Sequence, residues 1–404
     1  MVLHRPESHA AITGIGQSDV GRRLGRGELD LTIDAILAAV ADAGLELSDV
    51  DGLCSYPGPM AGSPGGFAGP GTVAVQEALR LKLGWHDSGR EGPAQLSAVN
   101  KAVMAVAFGL ARHVVVYRTV TESTAQGTGG RGGIGMPSGG GSGKVPRLDG
   151  EFQWMLPYGA YSAANWLSLY AQRHFHEFGT TREQLGQIPL SCRRNAAKNP
   201  KAIYREPLTM QDYLSARMIT TPFGLYDCDA PCDGATVVIV SAIETAKDAP
   251  KPTVRFEAMG TAIRGRPSWD QWEDLTTFAC RDAAAQMWTR TDLTPGDVDT
   301  AQLYDGFSFL ALAWIEALGF CGRGEAGPWL EGGTNIALDG GVLPLNTGGG
   351  QLSAGRLHGF GHLHEAVLQL RGEGGQRQVP GSPQVAVVAA GGGPIAGSML
   401  LVRE

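Results

Sequence analysis

The sequence predicts an α/β protein made of two similar domains side by side, and three observations carry that prediction. A strand, a helix and a second strand follow one another from residue 10 to residue 57. The pattern returns downstream at one constant spacing: Asp34-Ala35, Leu45 and Asp49-Val50-Asp51 reappear without a gap as Asp282-Ala283, Leu293 and Asp297-Val298-Asp299. Each copy then continues alike, residues 97–110 reading as a helix before the strand "HVVVYRT" and residues 361–371 as a helix before "QVAVVAAGGG".

Taken in order, "AAITGIGQSDV" is a short apolar strand ending in glycines. In "DLTIDAILAAVADAG" the apolar residues Ile33, Ile36, Leu37 and Val40 recur at helical spacing. "LSDVDGLCSYPG" supplies a turn and the second strand. Residues 119–215 interrupt the first domain. They open with "QGTGGRGGIGMPSGGGSGK", which reads as a loop, because a phosphate cradle needs a neighbouring strand and a Lys-Ser/Thr pair that this stretch lacks. The aromatic-rich "EFQWMLPYGAYSAANWLSLYAQRHFHEFG" follows and contains an amphipathic helix. "TPFGLYDCDAPCDGATVVIVSA" closes the first domain on a buried strand, and "KPTVRFEAMGTAI" opens the second.

The bulk properties narrow the function. With 404 residues, 43% of them hydrophobic and 18% charged, the chain is long enough for two or three domains with an ordinary core. A net charge of -7 without a long basic run argues against nucleic acid as a partner. The first residues contain no apolar signal segment, and no run approaches the roughly 18 apolar residues of a membrane helix, so a cytoplasmic protein is expected. Six cysteines scattered through so long a chain do not form a disulfide framework. Cys228 and Cys232 in "DCDAPC" have no second pair to complete a zinc site.

The densest chemistry lies in "NTGGGQLSAGRLHGFGHLHEA", from Asn346 to Ala366. His358 and His362 are four apart, as metal ligands on a helix can be, but glycines separate them and no further ligand follows at zinc spacing. Gly348 to Gly350 permit close backbone approach, and His362, His364 and Glu365 fall in the first turns of the following helix. An active-site turn is the reading that fits, with no metal and no cofactor.

The duplication, the insertion, "AQLYDGFSFLALAWIEALGFCGRGE" and "LPLNTGGGQLSAGRLHG" together resemble the thiolase superfamily. More narrowly, the chain is similar to the sterol-carrier or lipid-transfer-protein type thiolases and to the steroid side-chain aldolases derived from them. The resemblance implies a thiolase fold, two duplicated βαβαβ domains in a five-layer α-β-α-β-α sandwich. It divides the chain into an N-terminal domain of residues 1–118 plus 216–248, an inserted loop domain of residues 119–215, and a C-terminal domain of residues 249–404. It also implies a homodimer joined along the first-half sheet edge, and a partner carrying an OB-fold and a zinc ribbon.

The family's chemistry does not transfer intact. Leu96 stands where thiolases place their nucleophilic cysteine, and Ala389 where they place the second cysteine. Neither side chain can carry an acyl group or a proton, so the thiolase mechanism is excluded. Tyr304 occupies the position that helps polarise the thioester oxygen, and Arg356 that of the Gly-His-Pro histidine. The resembling aldolases have tyrosines at both positions; Tyr304 matches them and Arg356 does not. The same resemblance lines the substrate site with Leu96, Asn346 and Gly392.

A retro-aldol cleavage of a β-hydroxyacyl-CoA needs no covalent nucleophile, only a base, donors for the enolate and an acid for the α-carbon. Tyr304 is the first candidate base, although a phenol is ionised only about 0.1% at pH 7. Arg356 close by would hold that pKa down by about one to three units. His358 could accept the proton alone. The plain alternatives are a core tyrosine, a salt-bridged arginine and a turn histidine.

Arg193 and Arg194, with Lys198, Lys201 and Arg205, form a basic patch in "CRRNAAKNPKAIYRE" that would suit coenzyme A phosphates or simply a solvated helix face. Trp154, Tyr158, Tyr161 and Trp166 would wall a bulky acyl group or serve as core. The expected function is an aldolase that cleaves an acyl-CoA with a steroid or similar side chain, coenzyme A being part of the substrate. Two competitors remain: a non-catalytic acyl-CoA-binding scaffold, and an acyltransferase using Ser97 or a cysteine of "DCDAPC".

Overall fold

The computed structural model of the chain describes residues 5–58, 65–89, 94–127, 152–160, 162–264 and 274–404. Most of the glycine-rich stretch, Tyr161 and the side chain of Trp154 lie outside the described residues. The strands are β1 (Ala10–Gln17), β2 (Gly52–Ser55), β3 (Trp85–Ser88), β4 (His113–Thr121), β5 (Met218–Thr220), β6 (Phe223–Gly224), β7 (Asp233–Ala242), β8 (Val254–Ile263), β9 (Thr300–Leu303), β10 (Val385–Gly391) and β11 (Ile395–Arg403). The helices of eight residues or more are α1 (Glu28–Ala43), α2 (Thr72–Leu79), α3 (Ser97–Ala107), α4 (Ala163–Phe178), α5 (Gln187–Ala197), α6 (Cys280–Trp288), α7 (Ser308–Ala317) and α8 (Phe360–Arg371).

Nine strands follow one another in the order β3-β2-β4-β7-β1-β8-β11-β10-β9. The first five belong to the first half of the chain and the last four to the second, and they meet where β1 pairs with β8 through Ala11↔Arg255 and Ile12↔Val254. Each half places a parallel pair beside antiparallel neighbours in the same sequence, β2-β4-β7-β1 in one and β9-β10-β11-β8 in the other. α1 covers the first half from outside and α6 the second, while α3 and α8 run between them, α8 touching β7 and β1 as well as β9 and β10. The strands thus form one continuous sheet whose two halves repeat one topology, with α3 packed on the strands of the first half and α8 touching strands of both.

The repeated residues of the sequence have repeated structural work. A Cβ on Gly16 of β1 would collide with the carbonyl of Ala35, and one on Gly260 of β8 with the carbonyl of Ala283. Bare glycine on the strand therefore lets α1 and α6 press against β1 and β8. Asp51 accepts the backbone N–H groups of Arg112 and His113 at 2.9 Å. Its counterpart Asp299 accepts those of Gln384 and Val385 at 2.7 and 2.9 Å. In each half one carboxylate thus fixes the start of the strand that follows the central helix.

The halves are tied by buried polar locks as well as by the core. Arg371 at the end of α8 donates to Asp42 of α1 at 2.6 Å, to the Thr13 carbonyl at 2.9 Å and to the Pro252 carbonyl at 2.9 Å. Arg290 grips the fully buried Glu7 through two bonds of 2.6 and 2.7 Å. Among the described residues no helix is long and apolar enough to cross a membrane.

Candidate active site

The site forms where the first turn of α3, the end of β10, the residue after β9 and the loop before α8 converge. Leu96 caps α3 with no exposed surface, and Ala389 is equally buried in β10. The carbonyl of Ala389 accepts the Tyr304 N–H at 3.0 Å, which places the tyrosine beside it. Gly359, at φ 82°, is wedged so closely that a Cβ there would stand 3.2 Å from that of Gln95 and 3.4 Å from that of Ala390. Gln95 and Ala390, which this turn touches, are the chain neighbours of Leu96 and Ala389, the two positions that the resemblance assigns to the thiolase cysteines, and both of those carry hydrocarbon.

Around that apolar floor lies a charged cluster assembled from distant segments. Arg356 reaches Glu122 through Nε and Nη2, both at 3.0 Å, and Asp229 through Nη1 at 3.0 Å. His358, held at φ 49°, has its Nε2 3.1 Å from Glu122 Oε2, and its ring stands edge-on to Phe67. Arg118 is completely buried, with its guanidinium over the Tyr56 and Phe67 rings. Its Nη1 donates to the backbone carbonyls of Phe67 at 2.6 Å and Tyr56 at 3.3 Å. Arg118 Nε and Nη2 have no hydrogen-bond partner among the described residues. A buried guanidinium without a carboxylate partner is costly, and such costs concentrate where a ligand completes the site.

The electrostatics assign protonation states. Burial pushes the Glu122 carboxyl up, but Arg356, the His358 bond and Arg118 outweigh it and hold the group down at about 2. Burial and the nearby Arg118 press His358 down to about 4, so its ring is neutral. Burial lowers the Arg118 guanidinium to about 10, still cationic at neutral pH. Burial and then Arg356 act in opposite senses on Asp229, and with Glu122 and Asp305 adding repulsion it rises to about 7. Tyr304, 8% exposed, is raised by burial, Asp229 and Tyr56 against the opposing pull of Arg356 and Gln351.

Several sequence expectations change here. Arg356 does favour ionisation of Tyr304, but burial and Asp229 prevail, so the side chain rests as a phenol rather than a ready base. His358 is a weak base with its Nε2 already engaged by Glu122, and it lies outside α8, so it shares no helical face with His362. Among the described residues no three His, Cys, Asp or Glu side chains converge as metal ligands. Asn346 is fully buried and bonds both the N–H and the carbonyl of Leu303 through its side chain, at 2.7 and 2.9 Å, which fixes the loop before α8 against the end of β9. Arg193 turns inward, with Nε on Ser353 at 2.9 Å and Nη1 on the Glu206 carbonyl at 3.2 Å, so it braces the insertion against the site loop. Arg194 beside it is exposed. Gly392 sits in the turn after β10, against Leu310.

Of the aromatics, Tyr158 is 82% exposed and Trp166 is tied to the Ala160 carbonyl at 2.9 Å. Ser97 Oγ is buried without a hydrogen-bond partner among the described residues, and burial pushes the Cys228 thiol up to about 12 and the Cys232 thiol higher still. None of the three is an activated nucleophile.

The residues that sequence reasoning missed are Glu122, Asp229 and Arg118. Asp229 lies between the two cysteines of "DCDAPC", where attention went to sulfur, and Glu122 lies four residues before the glycine-rich stretch that begins at Gln126.

A thiolase-like α/β protein is the class to which this fold points, and the comparisons with known proteins show that family. The family of thiolase C-terminal domain-like sequences matches residues 262–404. The chain is 35% identical over 398 residues to the steroid side-chain-cleaving aldolase of Thermomonospora curvata, covering 97% of each chain. It is 34% identical over 402 residues to the 17-hydroxy-3-oxo-4-pregnene-20-carboxyl-CoA lyase of Mycobacterium tuberculosis, covering 97% of this chain and 98% of that one. A solved Ltp2-ChsH2(DUF35) aldolase superposes with a TM-score of 0.83 at 33% identity, covering 98% of each chain. Human mitochondrial 3-ketoacyl-CoA thiolase, at a TM-score of 0.67 and 14% identity, shares the fold alone. The chain belongs to the aldolase branch of the thiolase superfamily and is a carbon–carbon lyase.

Proposed function

We propose that the chain cleaves a β-hydroxyacyl-CoA with a steroid or similarly bulky side chain, releasing a ketone or aldehyde and a shortened acyl-CoA. One observation carries the reading: Leu96 and Ala389 put hydrocarbon where the resemblance places both thiolase sulfurs, while a buried charged cluster is assembled from the neighbouring segments. Aldol cleavage uses acids, bases and anion-stabilising donors without a covalent intermediate, which suits that exchange.

In this reading Tyr304 is the acid that protonates the enolate α-carbon, since its environment keeps it a phenol. Arg118, cationic and with Nε and Nη2 unpartnered among the described residues, is the donor for the negative charge that develops on the thioester oxygen. Arg356 organises the cluster by holding Glu122 and Asp229 apart, a positioning role in place of the family tyrosine. Coenzyme A enters as part of the substrate, with exposed Arg194 near its path.

A DUF35 protein is the proposed partner, in the place where the sequence expected an OB-fold and zinc-ribbon protein; the support is the solved aldolase complex that carries one. A homodimer is proposed along the edge strand β3, beside which Phe108 and Leu110 are 69% and 57% exposed. The test is incubation of the full chain, alone and with a DUF35 partner, with 17-hydroxy-3-oxo-4-pregnene-20-carboxyl-CoA. Release of the C17 ketone and propionyl-CoA supports the reading; binding without cleavage would leave the scaffold reading in its place.

A further inference from the structure

The segment Cys228 to Ala230 is laced between two loops of the site. The Asp229 N–H donates to the Gly306 carbonyl at 3.1 Å, two residues beyond Tyr304. The Ala230 N–H donates to the Gln351 carbonyl at 3.2 Å, and the Ala230 carbonyl accepts the Arg356 N–H at 2.9 Å. Cys228 bridges to Phe307. Asp229 is therefore fixed at backbone level against the segment bearing Tyr304 and the segment bearing Arg356.

Its side chain is 9% exposed and divided in its bonding. Arg356 takes Oδ1, and among the described residues no group donates to Oδ2. Arg356 cannot swing away with it, because its other edge is clamped on Glu122. The other candidate bases are committed: both Glu122 oxygens receive Arg356, His358 Nε2 faces Glu122, and Tyr304 rests as a phenol.

We infer that Asp229 is the general base of the cleavage, taking the proton of the substrate β-hydroxyl on Oδ2 while Arg356 holds Oδ1. The inference rests on the aldolase reading above and names the residue which that reading lacks. The step balances. As the proton moves to Asp229, the O–H electron pair forms the new carbonyl, and the Cα–Cβ bond breaks with its pair delocalised into the thioester enolate. Tyr304 protonates the α-carbon, and protonated Asp229 returns its proton to the tyrosinate. Nothing is oxidised or reduced, and both residues end as they began.

The surroundings suit the task. Arg356 attracts negative charge from the loop before α8, while Glu122 from the end of β4 and Asp305 from the segment after β9 repel it. Tyr304, the half-buried Cys228 thiol and the buried Cys232 thiol are further titratable neighbours. The resulting value of about 7 matches a base that must both accept and return a proton near neutral pH.

The experiment uses the full chain with its DUF35 partner and the same steroid acyl-CoA as probe. Asp229→Asn should lower kcat by about 100- to 10,000-fold with little change in KM. The wild-type kcat should rise with pH along a single limb near 7, and formate should restore cleavage to Asp229→Gly in a concentration-dependent way. An Asp229→Asn enzyme within about threefold of wild type in kcat would overturn the inference while leaving the aldolase standing. A wild-type profile flat from acid to alkaline pH would do the same, as would an Asp229→Gly protein that binds substrate normally and ignores formate. Failure of the wild type to cleave at all would remove the aldolase reading and this inference with it.

Discussion

Glu122 and Arg356, 234 residues apart in sequence, meet edge to edge, with Nε on Oε2 and Nη2 on Oε1 at 3.0 Å each. The contact joins the insertion side of the first half to the loop that introduces α8, and Asp229 and His358 are bonded to it. Arg356 is 19% exposed in its side chain and Glu122 7%, so the pair is largely withdrawn from water. Removing one partner leaves a buried charge unmatched. Glu122→Gln should therefore lose about 3–5 kcal/mol of stability in denaturant unfolding. A loss below about 1 kcal/mol would place the pair in the class of solvent-screened surface bridges.

Tyr304 packs over Gly306 and is almost fully covered, so Tyr304→Phe removes one hydroxyl and little else. The expected result is a fall in kcat of about 100- to 10,000-fold with acyl-CoA affinity retained. Calorimetric titration of the variant with substrate, alongside turnover, separates the two effects. A fall in affinity at unchanged kcat would mean that the hydroxyl only positions the substrate.

Acid should destabilise the fold in two separable windows. His358 and His364 are depressed by burial to about 4 and about 3 against a model-peptide value near 6.5. Between these values the unfolded chain binds histidine protons that the folded chain refuses, so this contribution is intact above about 6.5 and is lost as pH drops toward 4, partly offset by Asp229, whose raised value of about 7 lets the folded chain bind a proton that the unfolded chain does not. Glu122 adds a second loss only below about 4.5, as its own protonation at about 2 is approached. For His358 alone the loss is on the order of 3 kcal/mol. Unfolding measured from pH 7 to 4 should show the slope, and His358→Gln should flatten it.

The proposed dimer edge makes its own prediction. Phe108 and Leu110 project near β3, and Lys101 meets Asp87 there at 3.1 Å. Phe108→Asp should shift the chain from dimer to monomer in light scattering while leaving its circular dichroism unchanged. A variant that stays dimeric would move the interface elsewhere.

Much of the fold was legible because the repeated residues have the same mechanical task in each half. Ala35 and Ala283 press on strand glycines, and Asp51 and Asp299 hold strand starts, so the sequence repeats where the geometry does. Leu96, Ala389, Tyr304 and Arg356 could be singled out because they lie in recognisable motifs, but the partners of Arg356 could not. The charged cluster was not legible. Glu122 and Asp229 are single acids with no periodicity, brought together only by tertiary packing. The basic run around Arg193 misled for the converse reason: composition records that a segment is positive but not which of its side chains turn inward to bond Ser353.

The most direct test of the whole account is single-turnover mass spectrometry of both protein and products, with the steroid β-hydroxyacyl-CoA and the DUF35 partner present. The expected result is a ketone, a shortened acyl-CoA and a protein of unchanged mass at every time point, because Leu96 and Ala389 offer no atom to acylate. A transient acyl adduct on the chain, or substrate recovered intact from a saturated site, would contradict it.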